Sequence, residues 1–551
     1  MSNNIRTMLA AILSIIILII WQNYLYKPQY NKDNAPISNN SFSDNLLELT
    51  DQSTHTKNKD QEPAHNTQIQ FKNNFISGSI NLVGAKIDNL ILLKYKQTIK
   101  PDSKNITLLS PAGNKGVYYA EFGWLTNNKN IEVPDNKSIW KADKKVLSPN
   151  DKVTLFWKNN SGIKFFIQIS VDDNYMFTIE KKVFGLRNSD IKSYAAMSRS
   201  INDDIKSQML IHEGCIGVFN NKLEEIKFDD LNGKKLNFSN SNNGWLGFSD
   251  KYWLTAIIPD KASFFGKFSG YKTIFGNRYQ TDLIIDNDSV QNNYSKLYFF
   301  VGAKKLKVLD HYEKKYNIRL FDRAVDFGVL YFITKPIFIT LNFFHSLVKN
   351  FGVAIILLTV FIKVLLFPLA YKGFKGMNKL KKLQPEILRL KQLCGDNNAK
   401  LQKSVIELYK KEKINPVSGC LPIFLQMPIF FALYKVLYVT LEMRHAKFFW
   451  WIKDLSASDP TNIFTFFGLI PWNHPSFLHV GILPAIMSLT LYYQQMLNPQ
   501  PNDPTQAKVM KFLPVIFLFM FASFPSGLVL YWSCSNILSI TQQILIKKLT
   551  Q

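Results

Sequence analysis

Apolar positions in this chain follow two regimes. Across residues 67–311 they come in short β-branched and aromatic runs with partial alternation, as in 91–99, 152–157, 164–171 and 175–183, separated by Asn, Asp and Gly. A period of two turns one face of a strand towards a core and the other towards solvent, so this region predicts an all-β domain of sandwich or barrel class. From residue 350 onwards the runs lengthen, and 352–371, 420–440, 480–497, 512–524 and 527–546 predict apolar helices. About 20 apolar residues carry a helix across the hydrocarbon of a bilayer; the run 512–524 is shorter than that. Pro525-Ser526-Gly527 splits the last two runs and predicts a tight turn between two short helices. One more apolar stretch follows Arg6 and ends near residue 26, without an Ala-x-Ala cleavage site. It reads as a retained anchor, with a cleaved signal segment as the alternative.

The polar stretches between these runs divide the rest. Residues 27–66 are rich in Asn, Asp, Ser and Gln with few aromatics, the composition of a disordered tether. Residues 67–318 are assigned to the β domain. In 319–349, Asp322, Arg323 and Asp326 share one helical side, and Phe321, Ala324, Val325, Gly328 and Phe332 occupy the rest. That predicts an amphipathic helix at a membrane surface, bent or ended by Pro336. The helical region is 350–551, interrupted by a polar stretch at 372–416. There, residues with helical spacing at 377–393 and 400–409 flank a turn-like Cys394-Gly395-Asp396-Asn397, predicting a basic helical hairpin.

Charge then orients the helices. The 551 residues carry a formal net charge of +25. No zinc-ligand spacing or basic groove accompanies it, so nucleic acid is not implied. The lysines concentrate in 372–416, among them Lys372, Lys375, Lys379, Lys381, Lys382, Lys400, Lys403, Lys410 and Lys411. Such a loop belongs on the cytoplasmic side. With the anchor counted there are six crossings, which leaves Arg6 and Lys547-Lys548 also inside and the β domain on the opposite face. The basic hairpin reads either as a solvated loop or as a contact surface for the ribosome, lipid head groups or emerging chains. The four cysteines, Cys215, Cys394, Cys420 and Cys534, have no metal or disulfide spacing. In the β domain, Glu121, His212 and Glu213 stand isolated, with no catalytic spacing around them.

Lys363 is the anomaly. It lies inside GVAIILLTVFIKVLLFPLAY (352–371), about 12 Å of helix from the tyrosine end. A cation near the middle of a spanning helix costs about 2.5–3.5 kcal/mol on insertion scales, and a lysine stem does not easily reach that far to water. Either the helix is displaced in the bilayer, or Lys363 faces a wet or protein-lined cavity and is functional, the reading favoured here.

Residues 415–434 (NPVSGCLPIFLQMPIFFALY) and 524–532 (FPSGLVLYW), with Asn536 and Gln542-Gln543 beyond, closely resemble signatures of the YidC membrane protein insertases. Residues 244–259 (GWLGFSDKYWLTAIIP) resemble the large periplasmic domain of the Gram-negative members. The resemblance spans almost the whole chain. It implies a periplasmic β-supersandwich similar to sugar-binding domains and a five-helix membrane core around a hydrophilic groove. It also implies insertion and folding of inner-membrane proteins, alone or beside the Sec translocon, with no cofactor, metal or covalent chemistry. Nascent membrane proteins are then the partners, with ribosome and anionic lipids at the basic loop. In this frame Lys363 attracts acidic client segments and Thr359 and Gln426 hydrate the groove. Phe424, Met427, Phe430, Tyr531 and Trp532 offer an apolar slide to the client helix. Two departures stand out: the family usually has Arg at the position of Lys363, and 462–477 is longer than in many members. Two rival readings are an anion transporter using Lys363, although no internal repeat is visible, and a membrane-anchored envelope enzyme acting on sugars.

Overall fold

A computed structural model describes residues 67–111, 116–128, 130–186, 191–201, 211–273, 276–286, 293–328, 330–395, 397–412, 421–470, 475, 478–497 and 504–550. The expected anchor (1–26) and tether (27–66) lie outside the described residues.

Among the described residues, 67–303 build two facing sheets of ten and nine strands. The first centres on Ile191–Ile201, flanked antiparallel by Tyr118–Thr126 and Gly276–Ile285. The second centres on Tyr294–Ala303, between Met176–Phe184 and Trp253–Pro259. Alternation does what the sequence pattern predicts: in Lys164–Val171, Phe165, Ile167, Ile169 and Val171 are buried and their neighbours are not. Edge-on rings join the sheets, with Phe71–Phe177 centroids at 5.1 Å and Phe122–Phe299 at 5.7 Å. A short helix α1 (Phe228–Leu231) and helix α2 (Leu306–Tyr316) complete this domain. The Tyr312 hydroxyl on α2 donates to Asp172 Oδ2 at 2.7 Å and accepts from the Tyr175 amide at 3.1 Å, fixing α2 against the second sheet.

The segment after α2 corrects one expectation. Residues 321–347 do not form one amphipathic helix: Phe321–Ala324 is a 3-10 turn, extended backbone follows, and α3 covers Tyr331–Val348. Asp322, Arg323 and Asp326 therefore lie before the helix. Pro336 is accommodated inside α3, where its missing N–H costs one helical hydrogen bond near an open end. The outer side of α3 is a stripe of exposed Phe332, Ile339, Phe343 and Leu347.

The helical core brings more corrections. The run 352–371 is not one helix. It divides into α4 (Phe351–Leu365) and α5 (Phe367–Lys382), bent by 66° at Leu366. Pro368 explains the break: it lacks the N–H that would continue the ladder, and it stands in the first turn of α5, where no N–H is needed. The basic loop holds α6 (Gln384–Cys394) and α7 (Asn398–Lys411), so its first arm is itself broken, at Leu383 before Pro385. Helix α8 spans Leu421–Val439 and α9 spans Ile482–Leu497, starting two residues after Val480. The short run 512–524 belongs to a longer helix α10, Pro504–Phe521, whose first turns carry Lys508 and Lys511. Helix α11 (Ser526–Thr550) follows Pro525. Its first N–H groups are capped by a distant loop: Ser526 N donates to Ala457 O at 2.7 Å and Gly527 N to Leu455 O at 2.9 Å. In the long segment before α9, Ile463–Gly468 forms a 3-10 turn, while 471–474 and 476–477 lie outside the described residues. Among the described residues no single helix is long and apolar enough to cross a membrane, but the bent pair α4–α5 together reaches that length and hydropathy.

Candidate functional site

The break at Leu366 moves Lys363 from mid-helix to the last turn of α4. A cation there gains from the helix dipole, typically about 0.3–1 kcal/mol. The break also frees carbonyls that a continuous helix would pair. The carbonyl of Lys363 itself accepts from Gln542 Nε2 on α11 at 3.2 Å. The ammonium is half-buried and faces neutral groups: Ser539 Oγ on α11 at 2.8 Å and Gln426 Oε1 on α8 at 3.4 Å. Gln426 in turn donates through Nε2 to the Tyr531 hydroxyl at 2.5 Å. Among the described residues no carboxylate pairs with Lys363. Three helices thus converge on a cation whose partners supply hydrogen bonds and no countercharge. Hydroxyl and amide oxygens offset part of its desolvation and leave its attraction for an anion in place.

The other candidates separate. Thr359 is buried and donates its hydroxyl to Ile355 O at 2.6 Å, one turn back on its own helix; among the described residues no hydrogen bond connects it to the Lys363 cluster. Tyr531 is buried and belongs to the polar cluster rather than to an exposed apolar slide. Trp532 packs edge-on against Phe430 (4.6 Å) and Phe521 (4.7 Å). Met427 is exposed on the same helix. Phe424 falls within α8, but its side chain lies outside the described residues. Ser535 and Ser539 were missed in the sequence reading. Tyr531, Ser535, Ser539 and Gln542 recur every three or four residues along α11, a polar stripe in an apolar helix, and that spacing was the available signal.

The β domain's isolated candidates have structural partners. Glu121 pairs with Lys86 at 3.6 Å. His212 is buried, its Nε2 within 3.0 Å of Cys215 O, and burial pushes its pKa down to about 4. Burial raises the pKa of Glu213. The acids Asp310, Glu313 and Asp322 come close together, but Lys335 Nζ already sits among them, 2.7 Å from Asp322 Oδ2 and 3.8 Å from Asp310 Oδ1.

Comparison with known proteins decides the family. Residues 68–340 match the YidC periplasmic domain and residues 343–551 match the 60Kd inner membrane protein family. The membrane protein insertase YidC of Rickettsia bellii (strain OSU 85-389) is 46% identical over 557 residues, with both chains covered in full. This chain belongs to the YidC family of membrane protein insertases. The YidC of Rickettsia conorii (strain ATCC VR-613 / Malish 7) is likewise 46% identical over 562 residues, again covering all of both chains. A solved structure described as an active YidC insertase with the first transmembrane domain resolved is 17% identical. It covers 90% of this chain and 96% of its own, with a TM-score of 0.35. As a YidC family member the chain is an inner-membrane protein with a β-rich periplasmic domain and a helical C-terminal core.

Proposed function

We propose that this chain inserts and folds newly made proteins in the inner membrane through a polar groove lined by α4, α8 and α11, alone or beside the Sec translocon. The single observation that carries this reading is the half-buried ammonium of Lys363, held by Ser539 and Gln426 and facing no carboxylate among the described residues. A client must draw a polar outer segment through hydrocarbon, and a hydrated groove shortens that dry path. Lys363 attracts acidic residues of the segment, and low dielectric strengthens the pull. Desolvation of the pair offsets much of the gain, so capture is weak and release follows. Gln426 and Tyr531 keep the wall polar, with Ser535 and Ser539 beside them. Phe424, Met427, Phe430 and Trp532 offer the apolar side to a client helix. Thr359 acts through the packing of α4.

The same reading places the basic α5–α7 segment in the cytoplasm, where ribosome and anionic head groups meet it, and both termini on that side. The membrane part is then an anchor followed by a five-helix core in which α4–α5 is one broken span. An anion transporter would use Lys363 for flux of a small solute, which client insertion does not require.

The test compares Lys363→Ala with Lys363→Arg in a strain depleted of its own insertase. Clients with acidic outer segments insert poorly with the alanine variant and normally with the arginine one, while clients without such segments are less affected. Full insertion of acidic clients by Lys363→Ala would overturn electrostatic capture.

A further inference from the structure

Helix α8 carries Gln426 at the polar cluster and, about 13 Å further along its axis, Lys435. Lys435 Nζ lies 2.7 Å from Asp326 Oδ2, with only 12% and 13% of the two side chains exposed. Asp326 is in the extended segment before α3, and two further donors hold it. His212 N of the β domain reaches Oδ2 at 3.0 Å, and Gly328 N reaches Oδ1 at 3.1 Å. Burial alone would raise the Asp326 pKa, but the adjacent Lys435 and the amide of His212 outweigh it and the pKa is lowered. Gly328 has a φ of +69°, and a Cβ there would stand 3.1 Å from Lys435 Cε. The backbone is therefore shaped to pass against the lysine stem, at a position that favours glycine.

Two more contacts grip the same end of α8. Lys251 Nζ of the β domain sits 3.7 Å from the ring centre of Tyr438. Just past the helix, Arg444 donates to Lys96 O at 2.7 Å and Gln97 O at 3.1 Å. A buried ion pair contributes little net stability, because desolvation cancels most of the attraction, but it can fix registry.

We propose that Asp326 and Lys435 form a latch through which the β domain holds α8 in register, making both positioning residues for the groove. This rests on the insertase reading, in which α8 supplies the Gln426 wall opposite Lys363. Neither residue touches a client. The latch works at the far end of the helix, beyond Pro428, which weakens the ladder between the two sites.

The test reads the helix directly. Spin labels at Phe431→Cys on α8 and Ile537→Cys on α11, both exposed, are placed in full-length chains with the native cysteines replaced and reconstituted in nanodiscs without client. The label distance distribution is narrow with the native pair and with Lys435→Arg, and it broadens with Asp326→Asn and with Lys435→Met, whose stem packs as the lysine's does. Insertion of acidic clients falls about fivefold in the two broadened variants, the lower end of ordinary coupling between sites. The double variant is no worse than the poorer single one, as expected of residues acting as a unit. An unchanged distribution in both Asp326→Asn and Lys435→Met would overturn the latch, and so would broadening that leaves insertion intact. If the native chain inserts no client at all, the functional reading fails while the distance measurement still decides the latch.

Discussion

Lys363 and Lys181 are both largely withdrawn from water with no carboxylate beside them among the described residues, yet their surroundings set them to different tasks. Lys363 ends α4 half-buried, where the helix dipole and the oxygens of Ser539 and Gln426 favour the ammonium. Lys181 lies in the strand Met176–Phe184 with no exposure at all and donates to Gly123 O at 3.1 Å and Tyr194 O at 2.7 Å. Burial pushes its pKa well below the ordinary lysine value, so this amine is a structural donor linking strands. The sign of the pH effect follows. Between the depressed folded pKa and the unfolded value of about 10.4, the unfolded chain binds the extra proton. The stability contributed by Lys181 therefore rises with pH through that window, by up to about 1.4 kcal/mol per pH unit, and is lost as pH falls towards the folded pKa. Thermal unfolding of the full chain in detergent, followed by β-sheet circular dichroism from pH 7 to pH 10, checks this. The native chain should gain more over the range than Lys181→Met, and parallel curves would show that Lys181 does not titrate differently on folding.

At the scale of elements, the bend between α4 and α5 matters most. Gln542 satisfies the Lys363 carbonyl that the break releases. Gln542→Leu should leave it orphaned and lower stability by about 1–3 kcal/mol, measured as the shift in thermal unfolding of the helical core; an unchanged midpoint would mean another donor takes over. The break was partly legible. Pro368 stands in the run 352–371, but unbroken hydropathy outweighed it, because a sliding apolar window does not see a missing N–H. The same bias shortened α10: in its first turns, from Pro504, Lys508 and Lys511 interrupt the apolar residues Val509 and Met510 and break the run. Strands such as Lys164–Val171 were readable because burial there follows a strict period of two. The order of strands within the sheets was not, since register and pairing depend on residues far apart in the chain. The Asp326–Lys435 contact was hidden for that reason: Lys435 interrupts the apolar run 420–440, but its partner is 109 positions away and nothing local points to it.

For the whole molecule, orientation ties the parts together. The basic segment from Lys372 to Lys411 contains few acids, and the native Cys394, the last residue of α6, is partly exposed. If that segment is cytoplasmic, Lys363 at the end of α4 lies towards the ribosome side, and the β domain lies at the other end of α8, where Asp326 meets Lys435. The Lys363 end of the proposed groove and the proposed latch then occupy opposite faces of the bilayer. A chain whose only cysteine is Cys394 should be labelled by a membrane-impermeant maleimide in inverted vesicles and not in intact spheroplasts. A chain whose only cysteine is Ile99→Cys, at an exposed position of the β domain, should show the reverse. The two reporters sit on separate domains, so inversion of both would reverse the whole chain and place the Lys363 end of the groove away from newly made clients. Inversion of Cys394 alone would instead require a different number of crossings between the β domain and α6, which would remove α4–α5 as a span.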